Sequence, residues 1–290
     1  MFNQINQVIL LDGGLSTALE QLGNNLNTSL WSGELLRTAP DQIEAAHKAY
    51  INAGAQIIIT SSYQISMYGC ALRGWSESEV RDALMLSTQL ARKATSGTDV
   101  LVAASVGPYG AWLADGSEYR GNYGKSKSEL KDFHRSRLQI LIESNPDLLA
   151  IETIPELTEA QAILELLSEQ DVKIPFWMSF SCKDEEHISS GELFRDAAAL
   201  VSGRIGAVAV GINCTAPQFV TPLLTSAKSR IPFVVYPNSG RAWNAEKKEW
   251  EGTDSAGFSE IQIFEWKERG AKVIGGCCSV GPAEIAQMRV

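Results

Sequence analysis

Eight short apolar runs recur along the chain, separated by longer amphipathic stretches, and this alternation restricts the fold more than any other feature. The runs cover residues 8–12, 57–61, 100–106, 148–152, 176–180, 207–213, 233–237 and 273–276. Each is apolar nearly throughout rather than alternating, as a parallel strand buried on both faces is. The segments between them read as helices. Ser76-Glu-Ser-Glu79 has the form of a capping box, and Val80, Leu84, Ser87, Leu90 and Ala94 then trace one mainly apolar face. Residues 41–53 and 156–170 show a similar period. Eight parallel strands with covering helices are expected to close into a (βα)8 barrel of the α/β class, since closure removes exposed strand edges. The rival, an open doubly wound sheet, would carry a glycine-rich dinucleotide fingerprint after its first strand, and none is present. After the eighth run only residues 282–290 remain, so either the closing helix is short or the natural chain continues.

A barrel of this kind accounts for all 290 residues, and no linker or low-complexity tract divides them, so a single domain over 1–290 is expected. The Gly- and polar-rich stretch 109–127 reads as a loop within it. With 34 acidic against 25 basic residues the net charge is -9, which disfavours a nucleic-acid backbone or an anionic membrane and points to small-molecule partners. The first eleven residues lack a basic segment and a cleavage site, and no run reaches the ~18 apolar residues of a membrane span. A cytoplasmic protein is expected. The sequence does not specify its oligomeric state.

Chemistry in such barrels gathers at the C-terminal ends of the strands. Those ends carry Asp12-Gly13-Gly14, Thr60-Ser61-Ser62-Tyr63, Gly107-Pro108, Glu152-Thr153, Ser181-Cys182, Asn213-Cys214, Asn238-Ser239 and Cys277-Cys278. Cys214, Cys277 and Cys278 are candidates for Zn²⁺, which takes sulfur ligands tetrahedrally and keeps one position open when catalytic. The competing reading is three buried thiols at crowded strand ends. A disulfide between the adjacent Cys277 and Cys278 is geometrically awkward, so free thiols are expected. Cys182 is an alternative ligand and Cys70 reads as structural. His47 and His134 sit on helices as packing or surface residues, which leaves His187 as the one histidine placed for a site. Asp12 and Glu152 would be costly to bury without a cation, and an amino-acid ammonium is one such cation. Gly13 and Gly14 would let backbone N–H groups approach a carboxylate, the lesser alternative being a tight turn after a strand with a helix N-cap nearby.

Six segments together carry a resemblance: Leu11-Asp-Gly-Gly-Leu-Ser-Thr17, Tyr50-Ile-Asn-Ala-Gly-Ala55 leading to Thr60-Ser-Ser-Tyr-Gln64, Glu152-Thr-Ile-Pro155, Gly211-Ile-Asn-Cys214, Tyr236-Pro-Asn-Ser-Gly240 and Gly275-Gly-Cys-Cys278. Through them nearly the whole chain resembles the homocysteine S-methyltransferases, a barrel group related to betaine–homocysteine methyltransferase. The resemblance implies zinc at Cys214, Cys277 and Cys278. It further implies that Asp12 and Glu152 take the homocysteine amino group, with Gly13, Gly14 and Thr60, Ser61 and Ser62 near its carboxylate. The expected reaction moves a methyl group from a sulfonium, S-methylmethionine or S-adenosylmethionine, to the homocysteine thiolate. Tyr63, Trp112 and Trp177 are aromatic candidates for contact with that cation. Betaine is the alternative donor, and a phosphate-handling isomerase or aldolase barrel, using Asn238-Ser-Gly240 and Gly275-Gly276 as its anion loop, is the alternative reaction. Two departures from the family pattern stand out, Ser279-Val280 for Arg-Thr and Arg241 for Glu, and together they imply a lost charge pair near the metal with consequences for donor preference.

Overall fold

The computed structural model describes residues 2, 7–28, 30–240, 242–244, 249–251, 258–288 and 290. Its strands are β1 (Ile9–Leu10), β2 (Ile57–Ile59), β3 (Leu101–Val106), β4 (Leu148–Ile154), β5 (Phe176–Phe180), β6 (Ala207–Asn213), β7 (Phe233–Tyr236), the hairpin pair β8 (Ala242–Asn244) and β9 (Glu249–Glu251), and β10 (Ala271–Ile274). Eight of them form one parallel sheet in the order β1-β10-β7-β6-β5-β4-β3-β2. A bridge between Leu11 and Ile57 joins its two ends into the expected barrel. The hairpin β8–β9 was not anticipated.

The longer helices follow the apolar periods closely. They are α3 (Pro40–Asn52), α5 (Glu77–Ala94), α7 (Lys127–Glu143), α8 (Leu157–Glu169), α9 (Phe194–Ser202), α10 (Pro217–Ser226) and α11 (Glu260–Glu268). Ser76 and Glu79 do form a capping box, as do Ser126 and Glu129. Shorter helices appear where no period was legible: α1 (Leu15–Gln21), α2 (Leu35–Thr38), α4 (Met67–Ala71), α6 (Tyr109–Leu113) and the closing α12 (Pro282–Gln287). No helix among the described residues is long and apolar enough to cross a membrane.

Side chains alternate strictly between two apolar layers. Leu149, Ile151, Met178, Phe180, Val210, Ile212 and Val235 face the helices. Ile57, Ala103, Leu148, Ala150, Trp177, Ala209, Val234 and Val273 fill the barrel. The alanines at 103, 150 and 209 leave room for the Trp177 indole, which is wholly buried, so the interior is a packed floor and not a channel. Above that floor the inward positions turn polar, with Ser105, Glu152, Ser179, Asn213 and Tyr236 all buried.

The seam between β1 and β2 is completed by side chains. Backbone bonds run from Gln56 N to Leu10 O (2.7 Å) and from Asp12 N to Ile57 O (3.1 Å). Gln56 Oε1 accepts from Leu10 N (3.0 Å) and Asp12 Oδ2 from Ile59 N (2.7 Å), so an amide and a carboxylate stand in for missing strand carbonyls.

The loop after β3 rests on a buried polar group. Arg137 Nη2 donates to Gly107 O and to His134 Nδ1 (2.8 Å), while Glu159 Oε1 accepts from Tyr109 N (2.5 Å) and meets His134 Nε2 at 2.7 Å. Because arginine only donates, His134 Nδ1 must accept and its proton sits on Nε2, directed at Glu159. Burial and the neighbouring guanidinium hold His134 neutral, with its pKa far below the usual value. Substituting Arg137→Met would leave His134 Nδ1 and the Gly107 carbonyl without their partner and remove the positive charge that acts on Glu159. A stability loss of roughly 3–5 kcal/mol is expected, read as a lowered urea midpoint with unchanged slope.

Candidate functional site

A cavity of about 760 Å³ opens at the C-terminal mouth of the barrel. It is lined by Asp12, Gly13, Gly14, Thr60, Ser61, Tyr63, Glu118, Tyr119, Glu152, Cys214, Tyr236, Cys277, Cys278 and Ser279, with a rim from α1 and the chain that follows it, including Glu20, Asn24 and Trp31. No Lys, Arg or His is among its described lining residues, whereas Asp12, Glu20, Glu118, Glu152 and Glu284 are. A site of this sign selects cations and repels bare phosphates.

Two strand ends are aimed by one side chain. Thr153 has φ 59° and Cys214 φ 45°, left-handed values that cost non-glycine residues about 1–3 kcal/mol each. At Thr153 the register of β4 against β5 shifts, a bulge that redirects the chain after Glu152. The buried amide of Asn213 holds this conformation: Oδ1 accepts from Thr153 N (2.7 Å) and Ser179 Oγ (2.8 Å), and Nδ2 donates to Thr153 Oγ1 (2.7 Å). Glu152 and Cys214, each adjacent to a residue of this clamp, are thereby fixed relative to one another.

Glu152 accepts from Ser105 Oγ and hydrogen-bonds Tyr236, whose hydroxyl also takes the Trp177 Nε1 proton (3.0 Å). Burial still pushes its carboxyl up to about 7. Asp12 is raised well above the usual carboxylate range by burial, against the Ile59 N–H and with the charge of Glu152 adding to the rise. Asp12 Oδ1 is buried with no hydrogen-bond partner. These are the marks of two carboxylates arranged for a cation that the chain itself does not supply.

Cys214, Cys277 and Cys278 converge, with their sulfurs all within 4.8 Å of one another. Cys278 Sγ lies 3.7 Å from that of Cys214 and 3.9 Å from that of Cys277. Ligands at about 2.3 Å around tetrahedral zinc stand about 3.8 Å apart, so the two spacings from Cys278 fit that ion, whereas Cys214 and Cys277 are bonded to each other and would have to separate to hold it. The expectation of free thiols needs correction, because Cys214 and Cys277 are joined in a disulfide. Only the adjacent pair 277–278 was weighed from the sequence; the bond instead spans the ends of β6 and β10, which closure brings to a Cα separation of 5.4 Å. Cys278 is free, and burial pushes its thiol up to about 12. It therefore needs a nearby cation to ionise near neutral pH.

Other candidates are placed differently. Gly14 lines the cavity, but its N–H donates to Val280 O (2.9 Å). A Cβ on Gly13 would fall 2.3 Å from Val280 O and one on Gly14 2.6 Å from Cys277 O, so both glycines admit the loop after β10. Ser62 spends its hydroxyl on Ser105 O (2.8 Å), behind the wall. His187 pairs with Asp184 at 2.9 Å, and Cys182, His47 and His134 are buried outside the cavity lining. Of the aromatic candidates Tyr63 lines the cavity; Trp177 is in the floor and Trp112 packs on Tyr68 and Tyr109. Ser279 is in the lining with φ 62°, its N–H on Thr17 Oγ1 (3.1 Å), while Arg241 lies outside the described residues. Glu118 and Tyr119 escaped the sequence reading, since only Gly107-Pro108 had been taken as the third strand end. The run Asp115-Gly-Ser-Glu-Tyr119 follows that same end and could have been counted with it.

The sequence pattern described as homocysteine S-methyltransferase matches residues 9–290. Homocysteine S-methyltransferase 1 of Brassica oleracea var. italica is 44% identical over 295 aligned positions, covering 95% of this chain and 90% of that protein. Homocysteine S-methyltransferase YbgG of Bacillus subtilis (strain 168) is 44% identical over 294, covering 97% and 93%. Among solved structures, the homocysteine methyltransferase MmuM from Escherichia coli in its oxidized form matches with TM-score 0.86 at 40% identity, covering 99% of this chain and 96% of that one. Its metallated form matches with TM-score 0.84 at 42% identity, covering 97% and 95%. With identity of this order along nearly the full length of proteins that share one activity, the chain belongs to the homocysteine S-methyltransferase family and is a methyltransferase built on a (βα)8 barrel.

Proposed function

We propose that this single-domain enzyme, spanning 1–290, uses zinc and takes its methyl group from a sulfonium, S-methylmethionine in the first place and S-adenosylmethionine in the second. The convergence of three sulfurs, with Cys278 at spacings suited to a tetrahedral ion from each of the other two, carries the reading. The existence of a metallated form of the Escherichia coli relative supports it. Cys214, Cys277 and Cys278 would hold the ion once the disulfide is reduced, which suits a reducing, cytoplasmic setting. When bound, the metal supplies positive charge that keeps the homocysteine sulfur ionised near neutral pH.

The chain's own residues bind and orient. Asp12, through its unpartnered Oδ1, and Glu152 receive the homocysteine ammonium. Thr60 and Ser61, with the Gly13-Gly14 turn behind them, border its carboxylate. The thiolate then attacks the donor's methyl carbon in line and displaces the rest of the donor as a neutral thioether, so no proton need be delivered to it. The cavity's described lining accordingly contains no histidine or lysine to serve as an acid. The same lack of cationic side chains weighs against the phosphate-handling alternative. Betaine, also a cation, is separated from the sulfoniums only by assay. Ser279 lines this cavity, and the departure from the family pattern there, with Arg241 outside the described residues, would bear on that donor preference.

Supplying homocysteine with S-methylmethionine, S-adenosylmethionine or betaine, with and without zinc, tests the reading directly. Methionine should form with the sulfoniums and cease on chelation, while far-ultraviolet circular dichroism stays near that of the folded protein because the core does not involve the metal. Cys278→Ala should lower turnover by more than about 100-fold. Undiminished turnover would refute the assignment of the ligands.

A second expectation concerns pH. Because the carboxyl of Glu152 is raised in the ligand-free fold, its contribution to stability is fully present below the unfolded value of 4.5 and is lost as pH rises through about 7. Between pH 5 and 8 the thermal midpoint of the ligand-free protein should fall more steeply than that of Glu152→Gln. Saturating homocysteine should reverse this difference, as the ammonium favours the ionised form.

A further inference from the structure

The cavity contains a second anionic pole, at Glu118. This side chain is 6% exposed, lines the cavity, and leaves Oε2 buried without a hydrogen-bond partner. Its backbone is pinned by Ser181 Oγ donating to Glu118 O (2.9 Å). The adjacent guanidinium, that of Arg120, is turned outward, 60% exposed and 3.6 Å from Asp115. A buried carboxyl oxygen without a hydrogen-bond partner, facing a cavity lined by no lysine or arginine among the described residues, is satisfied when a ligand brings a cation.

Its neighbours indicate which ligand. The charge of Glu118 acts on Tyr63, Tyr119 and Cys278, and that of Glu152 acts on Tyr63 and Cys278. Cys278 and Tyr63 therefore lie within electrostatic reach of both carboxylates, and all four line the same cavity. Tyr119 in turn hydrogen-bonds the Cys278 sulfur. In-line transfer requires the accepting sulfur, the methyl carbon and the departing sulfur to be collinear, which sends the two substrates to opposite sides of the reacting centre. An ammonium held at Asp12 and Glu152 leaves the side of Glu118 for the donor, and phenol rings present their negative faces to a positive sulfur.

We propose that Glu118, flanked by the rings of Tyr63 and Tyr119, seats the sulfonium sulfur of the methyl donor and sets the preference for a charged donor over its neutral product. The assignment rests on the sulfonium reading above. In the transfer, a lone pair of the homocysteine thiolate forms the new S–C bond while the electron pair of the old one returns to the donor sulfur. The donor thereby loses its charge, so Glu118 attracts the substrate and not the spent thioether, and its hold weakens as the reaction proceeds. Removing it should impair donor binding without slowing the chemical step.

Steady-state kinetics of the zinc-loaded enzyme with S-methylmethionine and homocysteine varied in turn supply the test. Glu118→Gln should raise the donor KM about 10- to 100-fold, with kcat equal to or above that of the unaltered enzyme and the homocysteine KM within about twofold. Glu118→Asp, which keeps the charge on a shorter stem, should show a smaller rise in donor KM alone. An unchanged donor KM in Glu118→Gln overturns the assignment, as does a parallel loss in both KM values and kcat, which would mark a structural role. If Glu118→Gln does not fold, the aspartate variant decides, and a donor KM equal to that of the unaltered enzyme overturns the proposal. Failure of the unaltered enzyme with every sulfonium would instead refute the donor reading on which it rests.

Discussion

One buried amide determines whether the mouth of this barrel can act as a site. Asn213 gives both ends of its side chain to Thr153, closing a two-point clamp across the tops of β4 and β6. With it, Thr153 can remain in a left-handed conformation that a β-branched residue otherwise avoids. The bulge so stabilised turns Glu152 inward, and the next residue after Asn213 is Cys214. A carboxylate from one strand and a sulfur from another are thus placed by the same three hydrogen bonds, and the strain at the strand ends is balanced locally by polar contacts that burial strengthens.

The electrostatics of the cavity follow from what the chain withholds. Asp12, Glu118 and Glu152 are all raised by burial, and Cys278 with them, because no lysine or arginine of the described lining answers their charge. Elsewhere the protein does supply such partners, as in Arg92 against Asp147 at 2.7 Å.

Much of this was legible in the sequence because barrel strands are buried on both faces and so announce themselves as unbroken apolar runs. All eight were located to within a few residues, and the polar residues that terminate them marked Asp12, Glu152 and the three cysteines. What escaped was of three kinds. Short helices such as α6 have too few turns to show a period, and so Glu118 and Tyr119 disappeared into a stretch read as loop. The inward positions of Ser179, Asn213 and Tyr236 were hidden because alternation carries no signal when outward neighbours are equally buried. The disulfide was missed for a third reason, that two residues 63 apart become neighbours only once curvature is known.

The β1–β2 seam has a consequence for how experiments on this family member should be interpreted. One oxygen of Asp12 stitches Ile59 to the first strand while the other points at the ligand space. On the proposed reading, architecture and recognition share a single carboxylate, and truncating it would unfasten the narrowest join of the barrel at the same moment as it removed the proposed ligand contact. Loss of function in such a variant would confound two causes. Glu152, supported by hydroxyls and carrying no strand closure, is the cleaner reporter of how amino-acid substrates are held.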